Sequence, residues 1–249
     1  MLKQDMSKYS IITLEEVHST NSYALENILS FDDKTVIFSP HQSLGRGRYN
    51  RKWISDNTEN LYISFILKPE NISNYPFANL TQYLSVILCD LLKQEFNLNP
   101  QIKWPNDILI NGYKISGILA ESYMENNRIK AIVLGLGLNV NLNQETIEKI
   151  DQKATSLSVL LNKNFNVENI LNKLCDKFFQ KYDDFINKGF AYIKKEYIMQ
   201  CNFLGSNIKV REFDKEKNYF AKSIDDEGLL VVIDENNIES KIITGDVLC

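Results

Sequence analysis

The amino-acid sequence predicts an α+β fold: a mixed, mainly antiparallel sheet backed by helices, followed by a small C-terminal all-β barrel domain. Three observations carry this reading. Strand-like segments and amphipathic helices are mixed through the first part of the chain. Asn111-Gly112, a strong hairpin-turn dipeptide, separates two apolar strand segments. From about Asn202 the texture changes to short strands divided by polar turns. The expected division is residues 1–200 for the main domain and 201–249 for the appendage.

The elements follow in order. "YSIITLEEV" reads as a first strand, and "STNSYALENILS" as a helix with Ser19 or Thr20 as N-cap and Ala24, Leu25, Ile28 and Leu29 on one face. "TVIFS" is a β-branched strand that runs into a glycine- and arginine-rich loop. "LYISFIL" is a strand with Tyr62, Ser64 and Ile66 on one side and Leu61, Ile63, Phe65 and Leu67 on the other. "YPFANLTQYLSVILCDLLKQEF" is a long helix, packed on the sheet by its apolar face. "QIKW" and "DILI" are strand pieces, and "KISGILAESYM" and "IKAIVLGLGLNVN" are two paired strands. "VENILNKLCDKFFQKYDDFI" and "AYIKKEYIMQ" are amphipathic helices, expected on one face of the sheet. "NIKVREF", "NYFAKSI", "GLLVVID" and "ESKIITGDVL" supply the closing strands.

Composition narrows the function classes. With 249 residues the chain can bury a sizeable core, and its apolar fraction of 44% and charged fraction of 24% are those of an ordinary globular protein. A net charge of −4 argues against general nucleic-acid binding, so phosphate recognition should be local and built from a few placed cations. Cys89, Cys175, Cys201 and Cys249 are widely separated, without metal-ligand spacing, and Cys89 and Cys175 lie in apolar helical patterns. No signal-peptide pattern and no membrane-length apolar run occurs, so a cytoplasmic location is expected.

The chemistry concentrates in a few short stretches. "SLGRGRYNRKWISD" places Arg46, Arg48, Arg51 and Lys52 among Gly45 and Gly47, with Trp53 behind. Glycines let backbone approach a ligand closely, arginine forks bind phosphate or carboxylate, and an indole offers an apolar face to a flat ring. "KWPNDIL" presents Asn106 and Asp107 on a loop stiffened by Pro105; such an aspartate can hold Mg²⁺ through water or orient an amine. "KISGILAE" begins a buried-type strand with Lys114, a point cation able to neutralise a carboxylate and a phosphate together, and Gly117 notches that strand. "GLGLNVN" carries two strand glycines but lacks the third glycine and the helix of a dinucleotide fingerprint, and no P-loop occurs. "HSTNSYA" sets Ser19, Thr20 and Asn21 at a helix start, where capping uses one of the three. His18 and His41 lack a matched acid or nucleophile for a triad. Each of these stretches has a bland explanation of its own; together they suit a small carboxylate meeting a nucleoside triphosphate.

In this order the residues resemble the biotin protein ligase family. "STN", "GRGRYNRKW", "KWPND", "KISGIL" and "GLGLNVN" match its motifs, "ATSL" and the closing "GDVL" fit, and the likeness runs from about Ser10 to the C-terminus. The resemblance implies a class II synthetase-like catalytic domain and two steps: biotin and ATP give biotinyl-5′-AMP and pyrophosphate, and a lysine of a biotin carboxyl carrier domain then takes the biotin and releases AMP. It implies ATP and biotin as substrates, Mg²⁺ carried with ATP rather than fixed by protein ligands alone, and Lys114, Arg48 and Asp107 as the catalytic group. On the biotin side it implies Ser19, Thr20, Asn21, Gln42, Gly45, Arg46, Gly47, Arg48, Tyr62, Ser64, Lys114, Gly117 and Gly135. On the nucleotide side it implies Arg48, Arg51, Trp53, Asn106, Lys114 and Asn139.

Asn50 and Tyr49 depart from the residues usual in the family, which predicts a stiffer empty loop; glycine content and self-repelling charge predict a loop that is mobile until ligand closes it. Some members carry an N-terminal DNA-binding domain; the first catalytic strand here is expected within about ten residues of Met1, so the expectation is a ligase without that arm, not bound to nucleic acid or membrane. A homodimer is plausible from the resemblance. The competing readings are a lipoate- or octanoate-protein ligase on the same scaffold, a transcriptional regulator and a binding module without turnover.

Overall fold

The computed structural model describes residues 2–6, 8–55, 58–69, 77–212 and 215–248. Asp56 of the arginine loop, Tyr75 and Pro76 at the expected start of the long helix, and Cys249 lie outside the described residues.

Eight strands form the main sheet: β1 Leu2–Met6, β2 Tyr9–Thr13, β3 Thr35–Ser39, β4 Leu61–Leu67, β5 Pro100–Lys103, β6 Asp107–Ile110, β7 Tyr113–Glu125 and β8 Arg128–Leu138. Their order across the sheet is β1-β2-β3-β4-β8-β7-β6-β5. Every neighbouring pair is antiparallel except β2 and β3, which run parallel. Two hairpins explain the antiparallel half. Asn111 and Gly112 join β6 to β7 with φ of 52° and 81°, and Asn126 and Asn127 join β7 to β8 with φ of 51° and 58°. Positive φ at both central residues is the geometry whose twist matches the flanking strands, and asparagine and glycine reach it at least cost.

Four main helices are α1 Thr20–Glu26, α2 Phe77–Phe96, α3 Val167–Lys188 and α4 Lys194–Gln200. Every residue of β4 is buried, because the sheet is covered on both faces. On one face Val36, Phe38, Ile63 and Phe65 pack against α2 and α3; Phe65 and Phe178 stack with ring centroids 4.2 Å apart, and Tyr83 and Phe185 at 4.4 Å. On the other face Ile37, Ile66, Ala131 and Val133 pack against Ala24 and Ile28 from the α1 region. The expectation of helices on a single face is therefore corrected: α2 and α3 share one face, and α1 covers part of the other. Ser19 caps α1 through the Ser22 N–H, and the helix stops at Glu26. A short 3₁₀ turn over Ile28–Ser30 follows, which rotates Leu29 out to 78% exposure rather than onto the apolar face.

β9 Asn207–Glu212, β10 Lys215–Ile224, β11 Leu230–Ile233, β12 Glu239–Ile242 and β13 Asp246–Leu248 form a five-stranded antiparallel sheet in the order β12-β11-β10-β9-β13. Its apolar residues Ile208, Val210, Ala221 and Val232 belong to the same continuous core as α2 and α3. Polar ties fix its seat: Asn79 Nδ2 donates to the Glu227 carbonyl at 3.0 Å, and Gln82 Nε2 to the Gly228 carbonyl at 2.7 Å. Gly228 has φ +82°, and a Cβ there would stand 2.5 Å from Gln82 Oε1, so this docking turn requires glycine. No described helix is long and apolar enough to cross a membrane.

Cys89, Cys175 and Cys201 are buried free thiols, and burial pushes each thiol well above its ordinary range. Iodoacetamide at about pH 8 should leave all three unmodified in the folded protein and alkylate all three after denaturation. Peptide mass spectrometry reads the outcome, and rapid native labelling of any of them would contradict this packing.

Candidate active site

A cavity of about 680 Å³ opens over the part of the sheet that α1 leaves uncovered. Its floor follows from strand register. Gly117 of β7 faces Gly137 of β8, Leu119 faces Gly135, and Gly135 and Gly137 face Ser64 and Tyr62 of β4. Since side chains alternate across a strand, these residues share one face, and three of them have no side chain at all. The missing side chains make the room. A Cβ on Gly117 or Gly137 would stand 2.8 Å from the Trp53 ring, and one on Gly135 would stand 2.1 Å from Asn21 Oδ1. Asn21 and Trp53 can therefore lie on the sheet as two ends of the cavity floor.

The Asn21 end is fully wired. Ser64, itself completely buried, donates from its hydroxyl to Asn21 Oδ1 at 2.6 Å. Asn21 Nδ2 donates to Glu121 Oε2 at 2.8 Å and to the Leu119 carbonyl at 3.2 Å. The Thr20 N–H at the start of α1 donates to Gln42 Oε1 at 3.0 Å. Gly45 lies behind Gln42, where a Cβ would meet Gln42 Nε2 at 2.5 Å.

The arginine loop closes the cavity as a short two-stranded ribbon, Gly45–Arg46 against Lys52–Trp53. Each of its three arginines holds a carboxylate, which offsets part of the loop's positive charge. Arg46 donates to both oxygens of Glu121 at 3.0 Å. Arg48 donates to Asp246 Oδ1 at 2.7 Å, to the Gly245 carbonyl at 3.0 Å and to Asn106 Oδ1 at 3.4 Å. Arg51 pairs with the other oxygen of Asp246. Between them Tyr49 takes φ 55°, a conformation uncommon for a bulky side chain. Its ring lies 5.0 Å from the Arg48 and 5.6 Å from the Arg51 guanidinium, and its hydroxyl lies 3.1 Å from Thr244 Oγ1.

Lys114 stands at the base of β7, just after a bulge in the β6–β7 ladder between Ile108 and Leu109. Its ammonium lies 2.8 Å from Asp107 Oδ1 and 5.3 Å from the centre of the Trp53 ring. Both partners are largely enclosed, at 16% and 17% side-chain exposure, so the pair is screened less than a surface ion pair. The Lys114 backbone brackets a far segment, donating to the Lys153 carbonyl and accepting from the Thr155 N–H, each at 2.9 Å. Asn139 Nδ2 donates to the Thr155 carbonyl at 2.9 Å. That segment, Ile150 to Ala154, becomes a wall of the cavity. Trp53 Nε1 is buried without a hydrogen-bond partner among the described residues.

Every site residue singled out from sequence lines this cavity except Gly45 and Ser64, which lie one layer behind it under Gln42 and Asn21. Neither histidine lines it; His18 Nδ1 lies 3.1 Å from Ser43 Oγ. Sequence reasoning gave no role to Glu121, Asp151, Gln152 or Arg211, and gave Asp246 none beyond its place in "GDVL". Gly137 and Glu121 were both within marked motifs, Gly137 as a strand glycine suited to close approach; Asp151, Gln152 and Arg211 carry no local signal, because folding alone brings them here. No group of three or more His, Cys, Asp or Glu side chains able to hold a metal ion occurs among the described residues.

The sequence profile of the Biotin/lipoate A/B protein ligase family matches residues 14–139, which include the α1 start, the arginine loop, Lys114 and the glycine floor. The chain belongs to that family. It is 29% identical over 248 residues to the bifunctional ligase/repressor BirA of Bacillus spizizenii, covering 99% of this chain and 76% of that protein. It is 27% identical to the biotin–acetyl-CoA-carboxylase ligase of Paracoccus denitrificans over 88% of this chain and 92% of that one. The biotin protein ligase of Aquifex aeolicus, solved in complex with biotin and ATP, superposes with a TM-score of 0.82 at 26% identity, covering 96% of this chain and 97% of that chain.

For this member of the biotin/lipoate ligase family, Gly135→Ala forces its new methyl into Asn21. The expected result is a folded protein whose affinity for the family's acid substrate falls at least about tenfold, the equivalent of one good hydrogen bond to a buried group. Isothermal titration calorimetry checks this, and unchanged affinity would mean that Asn21 is not held against the sheet as described.

Proposed function

We propose that this chain is a biotin–protein ligase. It joins biotin to ATP as biotinyl-5′-AMP with release of pyrophosphate, then passes the biotin to a lysine of a carboxylase's biotin carboxyl carrier domain and releases AMP. The observation that carries the reading is a single cavity lined by the polar side chains Ser19, Thr20, Asn21 and Gln42 and by the cations Arg48, Arg51 and Lys114. A carboxylic acid with a polar ring lies along such a cavity with its acid group at the cations. A triphosphate entering from the other side brings its α-phosphate to the same point. The lipoate alternative fits this polar end less well, because a dithiolane ring has no N–H or C=O to match four hydrogen-bonding side chains.

The chemistry then needs no side-chain nucleophile. The substrate carboxylate oxygen attacks the α-phosphorus, the bond to the β-phosphate oxygen breaks, and pyrophosphate leaves. The barrier is mainly repulsion between two anions and loss of orientation, so fixed cations and positioning supply the catalysis. Lys114 offers three donors on a point charge and can touch both anions; Arg48 offers a planar fork to phosphate oxygens. Their resting partners, Asp107 and Asp246, hold them inside the cavity until the substrates replace those contacts. Asp107, once released from Lys114, is a carboxylate at the reaction centre that can orient the incoming lysine and accept its proton. The amine then attacks the acyl carbon and AMP departs.

Trp53 lies at the nucleotide end with an apolar face and an unmatched N–H, a surface suited to a purine. Asn139 would act indirectly there, by holding the wall at Thr155. Asp107 and Asp246 are each committed to a cation, and no group of three metal-ligating side chains occurs among the described residues, so Mg²⁺ would fit as an ion carried by the triphosphate, where it would neutralise phosphate charge.

Wild-type protein should catalyse biotin-dependent exchange of pyrophosphate into ATP and give no exchange with lipoate. Lys114→Ala and Arg48→Ala should each cut that exchange by about 100-fold or more, the scale for removing a cation that stabilises transition-state charge, with melting temperatures within a few degrees of wild type. Wild-type turnover in either variant removes that residue from the catalytic group, and exchange driven by lipoate removes the biotin assignment.

A further inference from the structure

Glu121 touches both Asn21 and Arg46 without being placed by the reaction described above. One of its oxygens accepts from Arg46 alone; the other accepts from Arg46 and from Asn21 Nδ2. The consequence for Asn21 is specific. Its amide nitrogen has two hydrogens, and both are used, by Glu121 and by the Leu119 carbonyl. Its amide oxygen has two lone pairs, and Ser64 uses one. The side chain is therefore locked in one of its two flipped orientations, in which it can accept a hydrogen bond from a ligand and cannot donate one. The amide lies close against Gly135, which seats it on the sheet, so its orientation is decided by which of its two ends meets Glu121 and the Leu119 carbonyl.

We propose that Glu121 is a positioning and specificity-determining residue. By fixing Asn21 as an acceptor and latching Arg46 beside it, it tunes the polar end for a ring that carries an N–H donor, such as a cyclic urea, against rings that carry none. This rests on the biotin reading of the cavity and deepens it. Glu121 sits on β7 two residues beyond Leu119, on the same face, so the strand that floors the pocket also carries its polarity filter. An uncharged amide in its place can turn its own NH₂ toward Asn21, which permits the flip, and weakens the hold on Arg46.

The test compares wild type with Glu121→Gln in biotin-dependent pyrophosphate exchange. The expected result is a KM for biotin raised by about tenfold, the cost of a misoriented buried hydrogen bond, with the KM for ATP and the kcat changed less than about twofold. In an Asn21→Ala background the same Glu121→Gln change should lose most of its effect on biotin, since the group it acts through is gone. Equal rises in KM for biotin and ATP, or an undiminished effect in the Asn21→Ala background, overturn the proposal. Should Glu121→Gln fold poorly, Ser64→Ala probes the amide from its oxygen end; calorimetry should show weaker biotin binding and unchanged ATP binding, and unchanged biotin binding overturns the proposal as well. A wild-type protein with no biotin-dependent exchange would instead sink the functional reading itself, whereas an active wild type with an unaltered Glu121→Gln variant sinks only this inference.

Discussion

Positive charge gathered around a cavity must be balanced while the cavity is empty, and the site depends on how that balance is made. Arg46, Arg48, Arg51 and Lys114 are held by only three carboxylates, Glu121, Asp246 and Asp107. Each carboxylate comes from a different part of the chain: strand β7, strand β13 of the C-terminal sheet and strand β6. Arg48 and Lys114, the two enclosed cations, would be costly without such partners. With them, the cations face the cavity at little net charge. An anionic substrate can then exchange one carboxylate contact for another instead of desolvating bare cations.

This arrangement also gives the C-terminal sheet a physical role. Asp246 binds Arg48 through one oxygen and Arg51 through the other, and the Gly245 carbonyl adds a contact to Arg48. The docking of that sheet on α2, through Asn79, Gln82 and the glycine turn at Gly228, therefore sets the position of the arginine loop more than a hundred residues earlier in the chain. The seat of a small sheet and the position of the arginine loop are mechanically one problem here.

The cavity floor works by absence of atoms. Gly117, Gly135 and Gly137 weaken their strands individually, yet their shared face gives Asn21 and Trp53 somewhere to lie. Burial of β4 on both sides, with stacked Phe65 and Phe178 on the helical face, keeps this notched region of the sheet from collapsing. A rigid floor is what lets hydrogen bonds of 2.6 to 3.2 Å around Asn21 select one amide orientation.

The sequence by itself determined the strands, the hairpin at Asn111-Gly112, the long helices and most of the cavity's side chains, because alternation, helical periodicity and turn chemistry are local properties written in adjacent residues. It also marked the arginine loop, the Asn106-Asp107 turn, Lys114 and the strand glycines, whose chemistry is unusual for their neighbourhood. What it left undecided were partners. Nothing near Arg48 in the chain announces Asp246, and nothing near Asn21 announces Glu121, because ion pairs and amide orientations depend on which surfaces the fold brings within 3 Å. The same limit explains α1, placed on the second face of the sheet, and Leu29, turned outward where the helix stops early. Only the tertiary structure decided these, since each follows from long-range packing that no window of neighbouring residues contains.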